Sequence, residues 1–145
     1  MGLDMYLNGK RFLWHTEGAL KDAISSVLPD APGIPSEVVV EVCYWRKANH
    51  IHRWFVEHAQ GGKDDCGHYD VSRDLIKELV KVCKEVLANK DLAETLLPTE
   101  SGFFFGSTEY DTGYFDDCEH TIKMLKPLIK PDSYKGWDFE YHSSW

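Results

Sequence analysis

The stretch that most constrains the fold runs from Glu37 to Ala59, because two hydrophobic periods meet there with no turn signal between them. From Glu37 to Tyr44, the β-branched Val38, Val40 and Val42 alternate with other residues, the pattern of a strand. From Tyr44 onward the period lengthens. Ala48, Ile51, Phe55 and Ala59 share one side of a helical wheel, while Arg46, His50, Arg53 and Glu57 take the side toward water. The sequence therefore predicts a strand feeding directly into a helix over 44–59, ended by Gln60-Gly61-Gly62. Along the flank of that helix runs a mixed row of Trp45, Asn49, His52 and Val56. Such a row sits at the boundary of a core, where a polar group needs a defined partner.

The other elements follow from the same rules. Leu3, Met5 and Leu7 alternate in a short N-terminal strand, and Asn8-Gly9 predicts a turn into a return strand over Lys10–Trp14. Leu20, Ala23, Ile24, Val27 and Leu28 space an amphipathic helix with Thr16 as its N-cap and Pro29 as its stop. Pro29 to Pro35 and Lys63 to Asp70 read as loops. Ser72 caps a helix whose stripe is Leu75, Ile76, Leu79, Val80, Cys83, Val86 and Leu87. A helical turn over Asp91–Leu97 closes at Pro98, and Gly102-Phe103-Phe104-Phe105-Gly106 reads as a buried segment. Tyr114, Phe115, Cys118, Ile122, Leu125 and Ile129 mark a last helix, with Asp116, Asp117 and Glu119 expected near the positive end of its dipole. Trp137, Phe139 and Tyr141 alternate in a C-terminal strand. The pattern predicts one α+β domain over residues 1–145: a small, mainly antiparallel sheet of N-terminal, central and C-terminal strands, with three to four helices packed on one face.

Composition narrows the function classes. The net charge is −8, and no basic face emerges to grip a phosphate backbone, so direct nucleic-acid binding is not expected. The four cysteines carry no CxxC spacing and suit reduced thiols. No signal peptide or membrane span is legible, which predicts a cytoplasmic protein. Aromatic residues make up 13% of the chain, enough for both a core and a contact surface.

Two blocks, Tyr44-Trp45-Arg46-Lys47-Ala48-Asn49 with Ile51-His52 and Trp54-Phe55-Val56, and Leu96-Leu97-Pro98-Thr99 through Ser101–Asp111, carry a resemblance. With the opening Met-Gly-Leu-Asp-Met-Tyr-Leu and the closing Tyr141-His142-Ser143-Ser144-Trp145, the chain resembles a family of small uncharacterised proteins of bacteriophages and prophages. The resemblance implies an accessory product acting in the host cytoplasm, in a setting where antagonists of host defence are common. It implies no catalytic assignment.

The sharpest candidate site joins Trp45, Arg46, Asn49 and His52 to the loop residues Ser107, Thr108, Tyr110 and Asp111. An indole can stack on a planar ring, an amide can make paired contacts, an imidazole can meet an anionic or carbonyl oxygen, and Arg46 adds charge. The competing reading has Asn49 and His52 bonding backbone of the sheet or of the Phe103–Phe105 segment. No catalytic residue, cofactor or metal is expected: no GxxxxGK[ST], HExxH or GxSxG string occurs, and Asp64, Asp65, Cys66 and His68 lack structural-zinc spacing. Asp4 with Asp138 or Glu140 would form a carboxylate pair if the terminal strands adjoin. The expectation is a non-enzymatic binding module for a nucleotide-like small molecule or a host protein. The alternative is a small hydrolase or nucleotide-processing enzyme using His52 with a carboxylate such as Asp111.

Overall fold

A computed structural model describes residues 2–30 and 33–145; Met1 and, within the predicted Pro29–Pro35 loop, Ala31 and Pro32 lie outside the described residues. The fold is α+β. Four strands, β1 (Asp4–Phe12), β2 (Glu37–Arg46), β3 (Tyr69–Val71) and β4 (Asp138–Ser144), form an antiparallel sheet in the order β2-β1-β4-β3. The terminal strands are central neighbours, with Asp4 opposite Ser144 and Lys10 opposite Asp138. That register puts Asp4 and Asp138 at opposite ends of the ladder and pairs Glu140 with Lys10 at 2.6 Å, so the expected carboxylate pair does not form.

Asn8-Gly9 is not a turn. β1 runs straight through it, with a register shift against β2 between Leu7 and Asn8. The glycine is needed for space: a Cβ there would meet the Trp137 ring and Val42 at 3.3 Å and Val40 at 3.4 Å. Bulge and close approach, not reversal, are what this dipeptide encodes here.

Five α-helices occur among the described residues: α1 (Gly18–Val27), α2 (Asn49–His58), α3 (Arg73–Ala88), α4 (Ala93–Leu96) and α5 (Thr112–Leu125). The core is one cluster in which Leu3, just ahead of β1, and Met5, Leu7, Cys43, Trp45, Phe139 and Tyr141 of the sheet meet Ile51 and Phe55 of α2, Ile76 and Leu79 of α3, and Cys118 and Leu125 of α5. Ser72 caps α3 as expected, its Oγ accepting from the Leu75 amide. Cys83 and Cys118 are buried free thiols, and the Cys83 thiol is pushed up by its contact with Cys118 and by burial.

Three expectations about the helices and one about the Phe103–Phe105 segment need correction. α1 forms, but none of its residues is buried and Thr16 does not cap it, so it stays outside the core. Its apolar stripe was sufficient for a helix and not for a place in the core. Asp116 and Asp117 lie beyond the first turn of α5, where the dipole has little hold. The Phe103–Phe105 segment is only partly buried: Phe105 enters the core while Phe103 is 95% exposed. Finally, α2 begins at Asn49, not Tyr44. Trp45 and Arg46 belong to β2, and Lys47, at φ +59°, turns the chain from strand to helix.

Candidate functional site

That boundary decides the geometry of the candidate site. Because Trp45 sits on a strand, its indole does not share a helical edge with Asn49 and His52. It faces the core, where Nε1 donates to Thr121 Oγ1 at 2.9 Å, so it has no open face for a ligand. Asn49 is 1% exposed. Its Nδ2 donates to the carbonyls of Phe105 (3.0 Å) and Ser107 (2.8 Å), and its Oδ1 accepts from the Glu100 amide at 3.0 Å. One carboxamide thus ties three backbone groups of the 100–107 segment to the start of α2. This is a structural use, and it spends the whole side chain.

His52 is fully buried and lies on the other flank of α2. Its Nδ1 shares a hydrogen bond with the Tyr141 hydroxyl at 2.7 Å, and its Nε2 lies 3.0 Å from Asp64 Oδ2, outside hydrogen-bond alignment. Asp64 is held in turn by the indole Nε1 of Trp145, donating at 3.1 Å. The Phe105 ring packs edge-on against the imidazole. Burial raises the Tyr141 hydroxyl well above its ordinary range, with the Asp64 charge adding to the effect. His52 and Asp64 of this chain border a cavity of about 500 Å³ that also meets Arg53, Glu57 and Glu100.

The remaining predicted residues gather elsewhere. Arg46, Asn49, Ser107 and Asp111 line a second cavity, of about 290 Å³, between the β2–α2 turn and the start of α5. Asp111 Oδ1 caps α5 by accepting from the Tyr114 amide at 3.1 Å. Ser107 Oγ accepts from the Glu109 amide at 3.1 Å. Thr108 and Tyr110 serve the loop: the Thr108 carbonyl accepts from Thr99 Oγ1, and the Tyr110 hydroxyl accepts from the Thr99 amide. Asp111 therefore does not partner His52; the two border different cavities.

The same cavity exposes two residues that sequence reasoning missed, His50 and Asp117. The wheel aimed His50 at solvent, yet it is 3% exposed, because Tyr114 of α5 covers that side with its ring 4.1 Å away. Its Nε2 is buried without a hydrogen-bond partner. Burial lowers its pKa to about 3, with a Tyr114 backbone contact opposing, so the ring is neutral at ordinary pH. Asp117 moves the other way. Desolvation, reinforced by Asp116 and Asp111, raises its carboxyl to about 7. Periodicity carries no signal for either, since Asn49, His50, Ile51 and His52 are all buried in succession. Lys47 joins Arg46 at this cavity, and Gly106, at φ +87°, packs on the Lys47 side chain so closely that a Cβ would meet it at 3.0 Å.

Chemically, the cavity offers two cations (Arg46 and Lys47), three carboxyl residues (Glu109, Asp111 and Asp117, the last raised toward neutrality) and a neutral imidazole with one nitrogen unpaired. Among the described residues, no helix is long and apolar enough to cross a membrane. Comparison with known proteins finds no match: no family model, no curated protein and no solved structure matches the chain.

Proposed function

We propose that this protein is a non-enzymatic binding module that holds a small polar ligand in the cavity between the β2–α2 turn and α5. The observation that carries this reading is His50, a buried imidazole that lines that cavity and whose Nε2 has no hydrogen-bond partner. A buried polar atom left unsatisfied costs about 1–3 kcal/mol, and a ligand that pairs with it recovers that energy. Arg46 and Lys47 suit an anionic group on the same ligand. At about 290 Å³ the cavity sits at the lower bound of ligand pockets, which suits a small molecule rather than a polymer. The resemblance of the sequence to small phage and prophage proteins supports placing this activity in an infected host's cytoplasm, with a nucleotide-like defence signal as the ligand class.

A second reading, a small nucleotide-processing enzyme, is favoured by one observation: a carboxyl near pH 7 is tuned for general acid–base work. It rests on Asp117 and not on His52, whose two nitrogens already face Tyr141 and Asp64. The binding reading stands ahead of it because His50 is too weak a base to share a proton-transfer role.

Titration of isotope-labelled protein with adenosine, guanosine, cytidine and uridine monophosphates tests the reading. One of them should saturate shifts at the amides of Lys47, His50, Gly113 and Tyr114, and be recovered chemically unchanged after denaturation. Altered nucleotide would establish the enzyme reading, and no saturable shift at these amides would end both.

A further inference from the structure

The sheet face opposite the helices carries a second cluster. Alternation along β4 sends Phe139 and Tyr141 into the core and puts Glu140 and His142 together on the other face. The loop ahead of β3 delivers His68 to the same place, where its Nδ1 lies 2.7 Å from Glu140 Oε1. One ligand atom from each of His68, Glu140 and His142 falls within 4.8 Å of the others. We propose that these three residues bind a zinc-type divalent cation on the open face of the sheet.

The donor set is the first argument. Two imidazoles and one carboxylate suit zinc and its borderline neighbours, whereas magnesium and calcium prefer oxygen alone. Carboxylate orientation is the second. Lys10 of β1 donates to Glu140 Oε2 at 2.6 Å, which fixes the group and leaves Oε1 turned toward the rings, the outer-shell support that metal ligands commonly have. The third is His142 itself. Its ring stacks on Tyr6 at 4.7 Å, and its Nδ1 is buried without a hydrogen-bond partner.

One movement is required. The His68 and His142 rings lie parallel, 13° apart in plane and 4.4 Å between centroids, and parallel rings cannot both aim a lone pair at one ion. Bond lengths near 2.0–2.1 Å also need donor atoms roughly 3.3 Å apart. His68 is the ring free to swing, since its side chain is 59% exposed and lies on a loop, while His142 is held by Tyr6. Three protein ligands leave a fourth position open to water.

Calorimetry of the full chain, stripped with chelator and titrated with zinc chloride, tests this. The expected result is one zinc per chain, weakened about tenfold or more by His68→Ala, by His142→Ala and by Glu140→Gln, with millimolar magnesium giving no heat and His15→Ala no change. Circular dichroism of each zinc-free variant confirms that it is folded. Absence of stoichiometric zinc binding, or undiminished affinity in folded His68→Ala, would overturn the proposal.

Discussion

The two flanks of α2 start from the same material and end differently. On one, His52 is sealed between Phe105, Tyr141 and Asp64; its Nδ1 is bonded to the Tyr141 hydroxyl, and its Nε2, though without an aligned hydrogen bond, lies 3.0 Å from a carboxylate oxygen. On the other, His50 is buried nearly as deeply, its Nε2 has no hydrogen-bond partner, and its side chain lines a cavity. Asn49 stands between them and is wholly occupied with backbone. Burial by itself is therefore no guide to role. A buried polar group with its partners supplied by the fold holds the fold together, and the role of one without a bonded partner turns on what lies beside it, a carboxylate for His52 Nε2 and a polar cavity for His50.

The contrast can be tested by perturbing each side in turn. Asn49→Ala should have the largest effect, a loss of about 2–4 kcal/mol, because two carbonyls and one amide are left without their partner. Urea denaturation measures it, and a loss below 0.5 kcal/mol, roughly a neutral surface change, would show that the amide is not structural. On the His52 flank, His52→Phe keeps the ring volume but orphans the Tyr141 hydroxyl; about 1–3 kcal/mol should be lost in the same assay. Gly106→Ala, at the wall of the His50 cavity, combines a left-handed backbone with the close contact to Lys47 and should cost about 1–3 kcal/mol.

The pH dependence separates the groups of the small cavity. The Asp117 carboxyl is raised in the fold, from an ordinary 3.8 to about 7, so its contribution is present at low pH and is lost as pH rises through that window. Asp117→Asn should accordingly flatten the fall in stability between about pH 4 and 7. His50 is lowered from 6.5 to about 3, so its contribution is present above pH 6.5 and fades as pH drops toward 3. The two slopes oppose each other between about 4 and 6.5. Thermal midpoints measured across pH 4–8 for each single variant would resolve them; identical profiles for Asp117→Asn and the parent chain would contradict the assignment.

Much of the architecture was legible because periodicity reports burial. The strand over 37–44, the Ser72 cap, the stripe of α3, the Asp111 start of α5 and the two terminal strands all follow from local pattern. What failed depended on contacts across the chain. Asn8-Gly9 is a turn signal in isolation, and only the approach of Trp137 and Val42 makes the glycine a spacer inside a strand. Trp45 fits a helical row as well as a strand, and the left-handed Lys47 that divides the two has no signature in its residue type. The candidate site was half legible. Arg46, Asn49, Ser107 and Asp111 do meet at one cavity, while Trp45 and His52 serve other surroundings. His50 was hidden because α5 covers a helix side that amphipathicity assigns to water.

His50→Phe measures the central claim most directly. The substitution preserves the aromatic contact with Tyr114 and removes the unpaired nitrogen, so stability should hold within about 1 kcal/mol of the parent or rise, while saturable nucleotide shifts at Lys47 and Gly113 disappear. A loss of about 2 kcal/mol or more, with the nucleotide response intact, would make His50 one more satisfied core residue and contradict the account.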